Sequence, residues 1–193
     1  AVLIKKGNLV LKRRVAKGYR IKEIDDRLRK QRTRKEAKLL EKAGKIISVP
    51  RVLKVDEKAC EIDMEFIEGE KLSESLDELK NWEEVCLEIG KNIGKLHDAE
   101  IIHGDLTTSN MIYSEKERKV YFIDFGLGFH SSRIEDKAVD LHLIKQALEA
   151  KHFKNWSSFF ESVLEGYGIS KDCKKVLDQF RKVEKRGRYR NQY

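Results

Sequence analysis

Apolar and polar residues alternate in the first part of the chain. Residues 2–5 and 9–14 read as two strands joined by a Lys6-Gly7-Asn8 turn, whose Gly-Asn pair is a hairpin signal. In the second strand a period of two puts Leu9 and Leu11 on one face and Val10 and Lys12 on the other. Residues 49–55 and 60–67 form a second predicted hairpin around Asp56-Glu57-Lys58. There Ile62, Met64 and Phe66 alternate with Asp63 and Glu65, so one face is buried. Between the hairpins the pattern becomes helical. Residues 21 to about 44 predict an intensely basic helix with Ile24, Leu28, Ala37, Leu39 and Leu40 as its apolar positions. A break is expected near Arg32, because Thr33-Arg34-Lys35-Glu36 fits a capping box that would start a new helix. Trp82, Val85, Cys86, Ile89, Ile93 and Leu96 fall at helical spacing over residues 82–98. Residues 111–113 and 120–123 make a short hairpin, a helix begins near residue 134, and residues 156–167 and 174–183 read as two closing helices.

Composition supports an ordered, helix-rich chain: 40% of residues are hydrophobic, 38% are charged, and there is one proline. A net charge of +8 points to a partner carrying negative charge, nucleic acid or nucleotide, although a solvated basic surface is the plainer account. The three cysteines, Cys60, Cys86 and Cys173, are odd in number and far apart. That argues against a disulfide framework or a cysteine zinc site and suggests a reducing cytoplasm. The five histidines show no metal-ligand spacing. No apolar run approaches the ~20 residues that span a bilayer, and the first residues lack a signal-peptide pattern. The expectation is a cytoplasmic protein with no membrane partner. The chain opens at Ala1 inside the apolar run Ala1-Val2-Leu3-Ile4, which reads as a piece of something longer.

Chemistry concentrates at His103-Gly104-Asp105-Leu106-Thr107-Thr108-Ser109-Asn110 and, one hairpin later, Ile123-Asp124-Phe125-Gly126. Protein kinases use a catalytic loop H-R-D-x-x-x-x-N, with Asp orienting the nucleophile and Asn holding metal, followed by D-F-G with a second metal ligand. Asp105 and Asn110 have that separation, and Asp124 follows in the right order. ATP and Mg²⁺ need hard oxygen ligands of this kind. Either motif alone would be weak, since Asp124 could be a turn aspartate and Asp105 a loop carboxylate capping a turn. Upstream, Lys12 lies two residues beyond Val10 on one strand face, as in the kinase V-A-I-K strand, so Lys12 could sit over phosphates and Val10 over the adenine. Otherwise Lys12 is a surface lysine beside Arg13 and Arg14. Glu36 could pair with Lys12 or close the capping box, and one carboxylate cannot easily do both. Met64-Glu65-Phe66-Ile67-Glu68-Gly69 leaves the sheet at a glycine, as the hinge between kinase lobes does. Met64 would flank the adenine, and the backbones of Glu65 and Ile67 would bond its edge; a core methionine at a strand end is the alternative. Asp140 either tethers the catalytic-loop backbone or is an exposed helix aspartate.

These residues resemble the small atypical serine/threonine kinases, RIO-related, of the archaeal and eukaryotic KEOPS (EKC) tRNA-modification complex. The resemblance covers nearly the whole chain. It rests on Lys17-Gly18-Tyr19-Arg20, Arg32-Thr33-Arg34-Lys35-Glu36-Ala37, the two motifs above, Glu135-Asp136-Lys137-Ala138-Val139-Asp140-Leu141 and the Arg-Gly-Arg tail. It implies an α+β, compact two-lobed kinase-like fold, divided into a β-rich N-lobe over 1–68, a reduced helical C-lobe over 69–185 and a basic tail over 186–193. It further implies ATP and Mg²⁺ as cofactors, autophosphorylation or ATP hydrolysis, and service in threonylcarbamoyladenosine synthesis on tRNA. The implied partners are tRNA, a threonylcarbamoyl-transferase subunit to which some archaeal kinases are fused, and a small regulatory subunit on the N-lobe. Lys12, Glu36, Asp105, Asn110 and Asp124 carry over as site residues.

The chain departs from ordinary kinases in three places. Gly104 stands where they have Arg, and Thr107 where they have a Lys that meets the γ-phosphate. No glycine-rich loop precedes the first strand. Only residues 127–133 separate Gly126 from the next helix, and no A-P-E follows, so the usual platform for a peptide substrate is missing. Hydrolysis and switching are therefore favoured over phosphorylation of other proteins. Two other functions fit the residues: an independent RIO-like Ser/Thr kinase, and a non-catalytic kinase-fold scaffold that binds tRNA. In the tail, Arg186, Arg188 and Arg190 are interleaved with tyrosines and are the candidate RNA contacts.

Overall fold

The computed structural model describes residues 1–188. In chain order the elements are β1 (Val2–Lys6), β2 (Leu9–Arg13), α1 (Lys22–Ala43), β3 (Val52–Asp56), β4 (Glu61–Glu65), β5 (Glu70–Lys71), α2 (Leu72–Ser75), α3 (Trp82–Asp98), β6 (Ile101–Ile102), β7 (Met111–Ser114), β8 (Lys119–Phe122), β9 (Phe129–His130), α4 (Ile134–Lys151), α5 (Trp156–Tyr167) and α6 (Cys173–Arg188). The first four strands form one antiparallel sheet in the order β1-β2-β4-β3, with Lys12 opposite Leu3 on one side and Ile62 on the other. After residue 65 the strands are short. A three-stranded sheet, β5-β7-β8, and a pair, β6-β9, sit among the helices. Among the described residues, no helix is long and apolar enough to cross a membrane.

Two apolar clusters hold the fold. A small one under the first sheet joins Ala37, Ile62 and Met64. The main one gathers Leu39 and Leu40 of α1, one face of α3, Met111, Phe122 and Phe125 around the catalytic segment, and the inner faces of α4, α5 and α6. Helix α1 is the bridge between them. Its second half is fixed by packing, which accounts for a stable helix despite a very polar sequence.

That helix corrects one expectation. It runs unbroken from Lys22 to Ala43, so there is no helix start at Thr33 and no capping box. Thr33 is buried in mid-helix and its hydroxyl donates to the Arg29 carbonyl (2.9 Å). Glu36 cannot reach back along the helix because its carboxylate crosses to β2. Ile24, expected on the buried face, is exposed, and its neighbour Asp25 takes the buried position instead, paired with Arg29 (2.7 Å). The second hairpin is also shorter than its pattern. Pro50 and a bulge between Val52 and Lys54 delay pairing, and Cys60 takes a positive φ of 58° at the end of a turn. Asp56 Oδ1 closes that turn by accepting from the amides of Lys58 and Ala59 (both 2.9 Å). The last helix extends beyond its apolar pattern to Arg188, so residues 186–188 continue it rather than beginning a separate tail.

Candidate active site

Strand pairing and one helix crossing build the site. Lys12 and Val10 project from β2 on the side away from buried Leu11, as the period of two requires. Helix α1 lies across this face and places Glu36 against Lys12: Nζ to Oε1 is 2.6 Å, with the side chains 6% and 1% exposed. Arg14 Nη2 donates to the other Glu36 oxygen. The Lys12 ammonium also meets Asp124 Oδ1 at 2.8 Å.

The catalytic segment is held by its backbone. His103 and Gly104 donate their amides to the two oxygens of buried Asp140 (both 2.9 Å), so Asp140 is the tether. His97 Nε2 lies 3.2 Å from the same carboxylate, and its Nδ1 is 2.9 Å from the Tyr167 hydroxyl. The His103 ring accepts from the Asp105 amide at Nδ1 (3.3 Å), and its Nε2–H donates to the Ile123 carbonyl (3.1 Å). Complete burial pushes the His103 pKa below its ordinary value despite Asp140 and the Ile123 bond, in keeping with this neutral tautomer. The ring therefore joins the catalytic loop to the strand end that presents Asp124. Gly104 explains the missing arginine: its φ is +77°, and a Cβ there would lie 2.7 Å from the Leu127 carbonyl oxygen. The activation segment occupies the space a side chain would need.

Asp105 and Asn110 form one unit. Asn110 Nδ2 donates to both the Asp105 carbonyl (2.9 Å) and Asp105 Oδ2 (2.8 Å), which leaves the Asn110 amide oxygen for another partner. Asp124 sits in the left-handed region (φ 61°) and accepts from the Gly126 amide (3.1 Å). Burial raises its carboxyl pKa, but the Lys12 charge and hydrogen bond, the Gly126 amide and Arg14 outweigh that and hold it below the usual carboxylate range. Its side chain is still 45% exposed and so within reach of an incoming ion.

One cavity of about 460 Å³ is lined by Val10, Lys12, Glu36, Met64, Glu65, Ile67, Asn110 and Asp124 together. Asp105 stands beside it through its bond to Asn110. Glu65 has given its amide to the Arg51 carbonyl (2.9 Å), so its carbonyl is the group it can offer an adenine. The sequence did not mark Leu3 and Lys5 of β1, Lys71, Ser109, Ile112 and Ile123, which also line the cavity. Leu3 and Lys5 were recoverable, since they lie opposite Lys12 and Val10 in the hairpin register. A network around buried His152 was missed as well. His152 lies 3.1 Å from Thr108 Oγ1 and 2.5 Å from Asp77 Oδ2, which anchors the catalytic loop from behind. Nothing local marks that contact, because its members lie 31 to 75 residues apart.

The donor set suits Mg²⁺. Among the described residues no group of three or more His, Cys, Asp or Glu could hold a metal alone. Asn110 and Asp124 instead offer two hard oxygens at the edge of a cavity, and Mg²⁺ ordinarily completes its shell with phosphates and water. Of the candidate RNA contacts, Arg186 is 64% exposed and pairs with Glu135 (2.6 Å). The Arg188 side chain and Arg190 lie outside the described residues.

A RIO-domain family model matches residues 10–137. The KEOPS complex subunit Bud32 of Pyrococcus abyssi is 50% identical over 94% of this chain and 84% of that protein. A probable serine/threonine-protein kinase BUD32 homolog of Archaeoglobus fulgidus is 39% identical over 94% of this chain and 89% of its own length. A probable bifunctional tRNA threonylcarbamoyladenosine biosynthesis protein of Methanobrevibacter smithii is 44% identical over 94% of this chain, which spans only 33% of that longer relative. Among solved structures, the Rio2 kinase of Chaetomium thermophilum, determined as an ADP/Mg²⁺-phosphoaspartate complex, superposes with a TM-score of 0.60. Its identity is 16%, and the match covers 93% of this chain and 65% of that one. At that identity the likeness establishes the fold alone.

Proposed function

Since this chain belongs to the RIO-domain kinases, and among them to the Bud32 group, we propose that it is the ATP-consuming kinase subunit that supports threonylcarbamoyladenosine synthesis on tRNA. The observation that carries the proposal is the convergence of Lys12, Glu36, Asn110 and Asp124, with Asp105 bonded to Asn110, on one cavity. The adenine would lie between Val10 and Met64, with its edge against the Glu65 carbonyl and the Ile67 amide. Lys12, steadied by Glu36, would hold the α- and β-phosphates. Asp105 would orient a water or a serine hydroxyl toward the γ-phosphate and receive its proton. Asn110 and Asp124 would hold Mg²⁺, which when bound neutralises charge on the phosphates.

Seven residues between Gly126 and α4 leave little platform for a peptide. This favours ATP hydrolysis that drives a change in a partner. Relatives in which this unit is a third of a bifunctional protein favour a threonylcarbamoyl-transferase as that partner. The remaining partners in this reading are tRNA and a small subunit on the N-terminal sheet, and the compartment is the cytoplasm. The test is threonylcarbamoyladenosine formation in a mixture of transferase subunit, tRNA and ATP with this chain or its Asp105→Asn variant. Product should require the chain and fall at least a hundredfold in the variant, the lower range for loss of a general base. Full product with the variant would defeat the proposal.

A further inference from the structure

Lys12, Glu36 and Asp124 line the cavity, and a fourth charge, Arg14, meets them from behind through Glu36. Lys12 has three N–H bonds, and its ammonium lies 2.6 Å from a Glu36 oxygen and 2.8 Å from an Asp124 oxygen. One N–H is left over, so to hold both the α- and β-phosphates Lys12 must turn from at least one of these carboxylates. Glu36 is 1% exposed and cannot exchange a lost cation for water. The fourth charge, Arg14, donates from Nη2 to the Glu36 oxygen that Lys12 does not use. Arg14 is itself 15% exposed, and its buried Nε has no partner among the described residues. A buried donor left unpaired is unfavourable. The guanidinium is thus placed by Glu36, not by the saturation of its own donors.

Its surroundings hold it there. The Arg14 amide donates to the Cys60 carbonyl (3.0 Å), and its own carbonyl accepts from Arg29 Nη1 of α1 (3.3 Å). The turn that carries Asp124 passes directly against the Arg14–Glu36 pair. A Cβ on Gly126 would stand 3.4 Å from Arg14 Nη2, 3.7 Å from Glu36 Oε2 and 2.8 Å from Asp124 Oδ1. Strand β2, helix α1 and the Asp124 turn therefore meet at this side chain.

We propose that Arg14 is a positioning residue of the phosphate site: it keeps Glu36, and α1 with it, in place while Lys12 turns from Asp124 toward a nucleotide phosphate. This rests on the nucleotide-binding reading above. A carboxylate with one cation would lose part of its only compensation when a phosphate competes for that cation. With Arg14 on the second oxygen, Glu36 stays compensated throughout, and the helix has no reason to shift. Arginine suits the post because its planar guanidinium stays charged and is more weakly hydrated than an ammonium.

The experiment is calorimetric titration of the chain with MgADP and, separately, with adenosine, which lacks phosphates. Arg14→Met should weaken MgADP about tenfold and leave adenosine unchanged, whereas Arg14→Lys should stay within about threefold of the parent for both. Arg13→Met, at an exposed side chain paired with Glu61, should change neither. If Arg14→Met does not fold, Arg14→Gln, which keeps a donor for Glu36 without charge, should show the same selective loss. Unchanged MgADP affinity, or parallel loss of MgADP and adenosine, overturns the inference. A parent chain that binds neither ligand overturns the nucleotide reading and this inference with it.

Discussion

Glu36 has almost no contact with water, and its two oxygens are taken by two different cations. Removing one partner of a buried ion pair typically costs about 3–5 kcal/mol, because the other is left uncompensated. Glu36→Gln strands both Lys12 and Arg14 and should cost about that much. Lys12→Met leaves Arg14 on the carboxylate and should cost about half. Urea unfolding of the two variants at constant m-value measures the difference, and equal losses would contradict the sharing of Glu36. His103 makes a prediction in pH. Its folded pKa is lowered by burial, so below its ordinary value of about 6.5 the unfolded chain takes up a proton that the folded ring refuses. Stability from this group is full above that pH and declines as pH falls. His103→Asn should flatten the slope of unfolding free energy below pH 6.5, and an unchanged slope would mean that the ring is charged in the fold. At this scale the side chains proposed to react were legible, since Asp105, Asn110 and Asp124 are marked by spacing within short motifs. Arg14 and Asp77 were not, for their partners come from elements that only folding brings near.

Helices α3 and α5 cross where each carries a glycine. A Cβ on Gly90 would run into the Val163 carbonyl oxygen, and one on Gly166 into the Leu87 carbonyl oxygen. The two backbones are in contact, and this fixes the floor beneath the catalytic segment. On helix propensity alone Gly90→Ala should stabilise by about 1 kcal/mol. Overpacking at a backbone contact should instead make it destabilising by about 3 kcal/mol, with α3 forced off α5. Thermal or urea unfolding decides the sign, and a more stable variant would contradict the crossing. The extents of α3 and α5 were readable from apolar spacing, but their crossing was not. The opposite failure occurred in α1, where Thr33-Arg34-Lys35-Glu36 imitates a helix start. The local pattern is the same in both situations. What separates them is the destination of the Glu36 carboxylate, which lies 24 residues upstream at Lys12.

Across the whole molecule the surplus of eight positive charges is the feature that ordinary kinase chemistry does not use. The proposed RNA partner would account for it through neutralised phosphates and released counterions. Deleting residues 186–193, which hold Arg186, Arg188 and Arg190, should weaken tRNA binding. It should also lower the slope of log affinity against log salt by about 2, at about 0.7–0.9 per phosphate contact. Because Arg186 also pairs with Glu135, its share of that change should be the smallest. An unchanged slope would remove the tail from the RNA interface.

This kinase fold is proposed to consume ATP through Asp105 in the service of its partner. The most direct measurement is steady-state ATP turnover by the chain, alone and with the transferase subunit and tRNA, beside Asp105→Ala. Turnover should rise with partner or tRNA and drop at least a hundredfold in the variant, while MgADP still binds. Turnover equal in parent and variant, or none under any condition while tRNA is still bound, would contradict it and leave a scaffold that uses the fold without its chemistry.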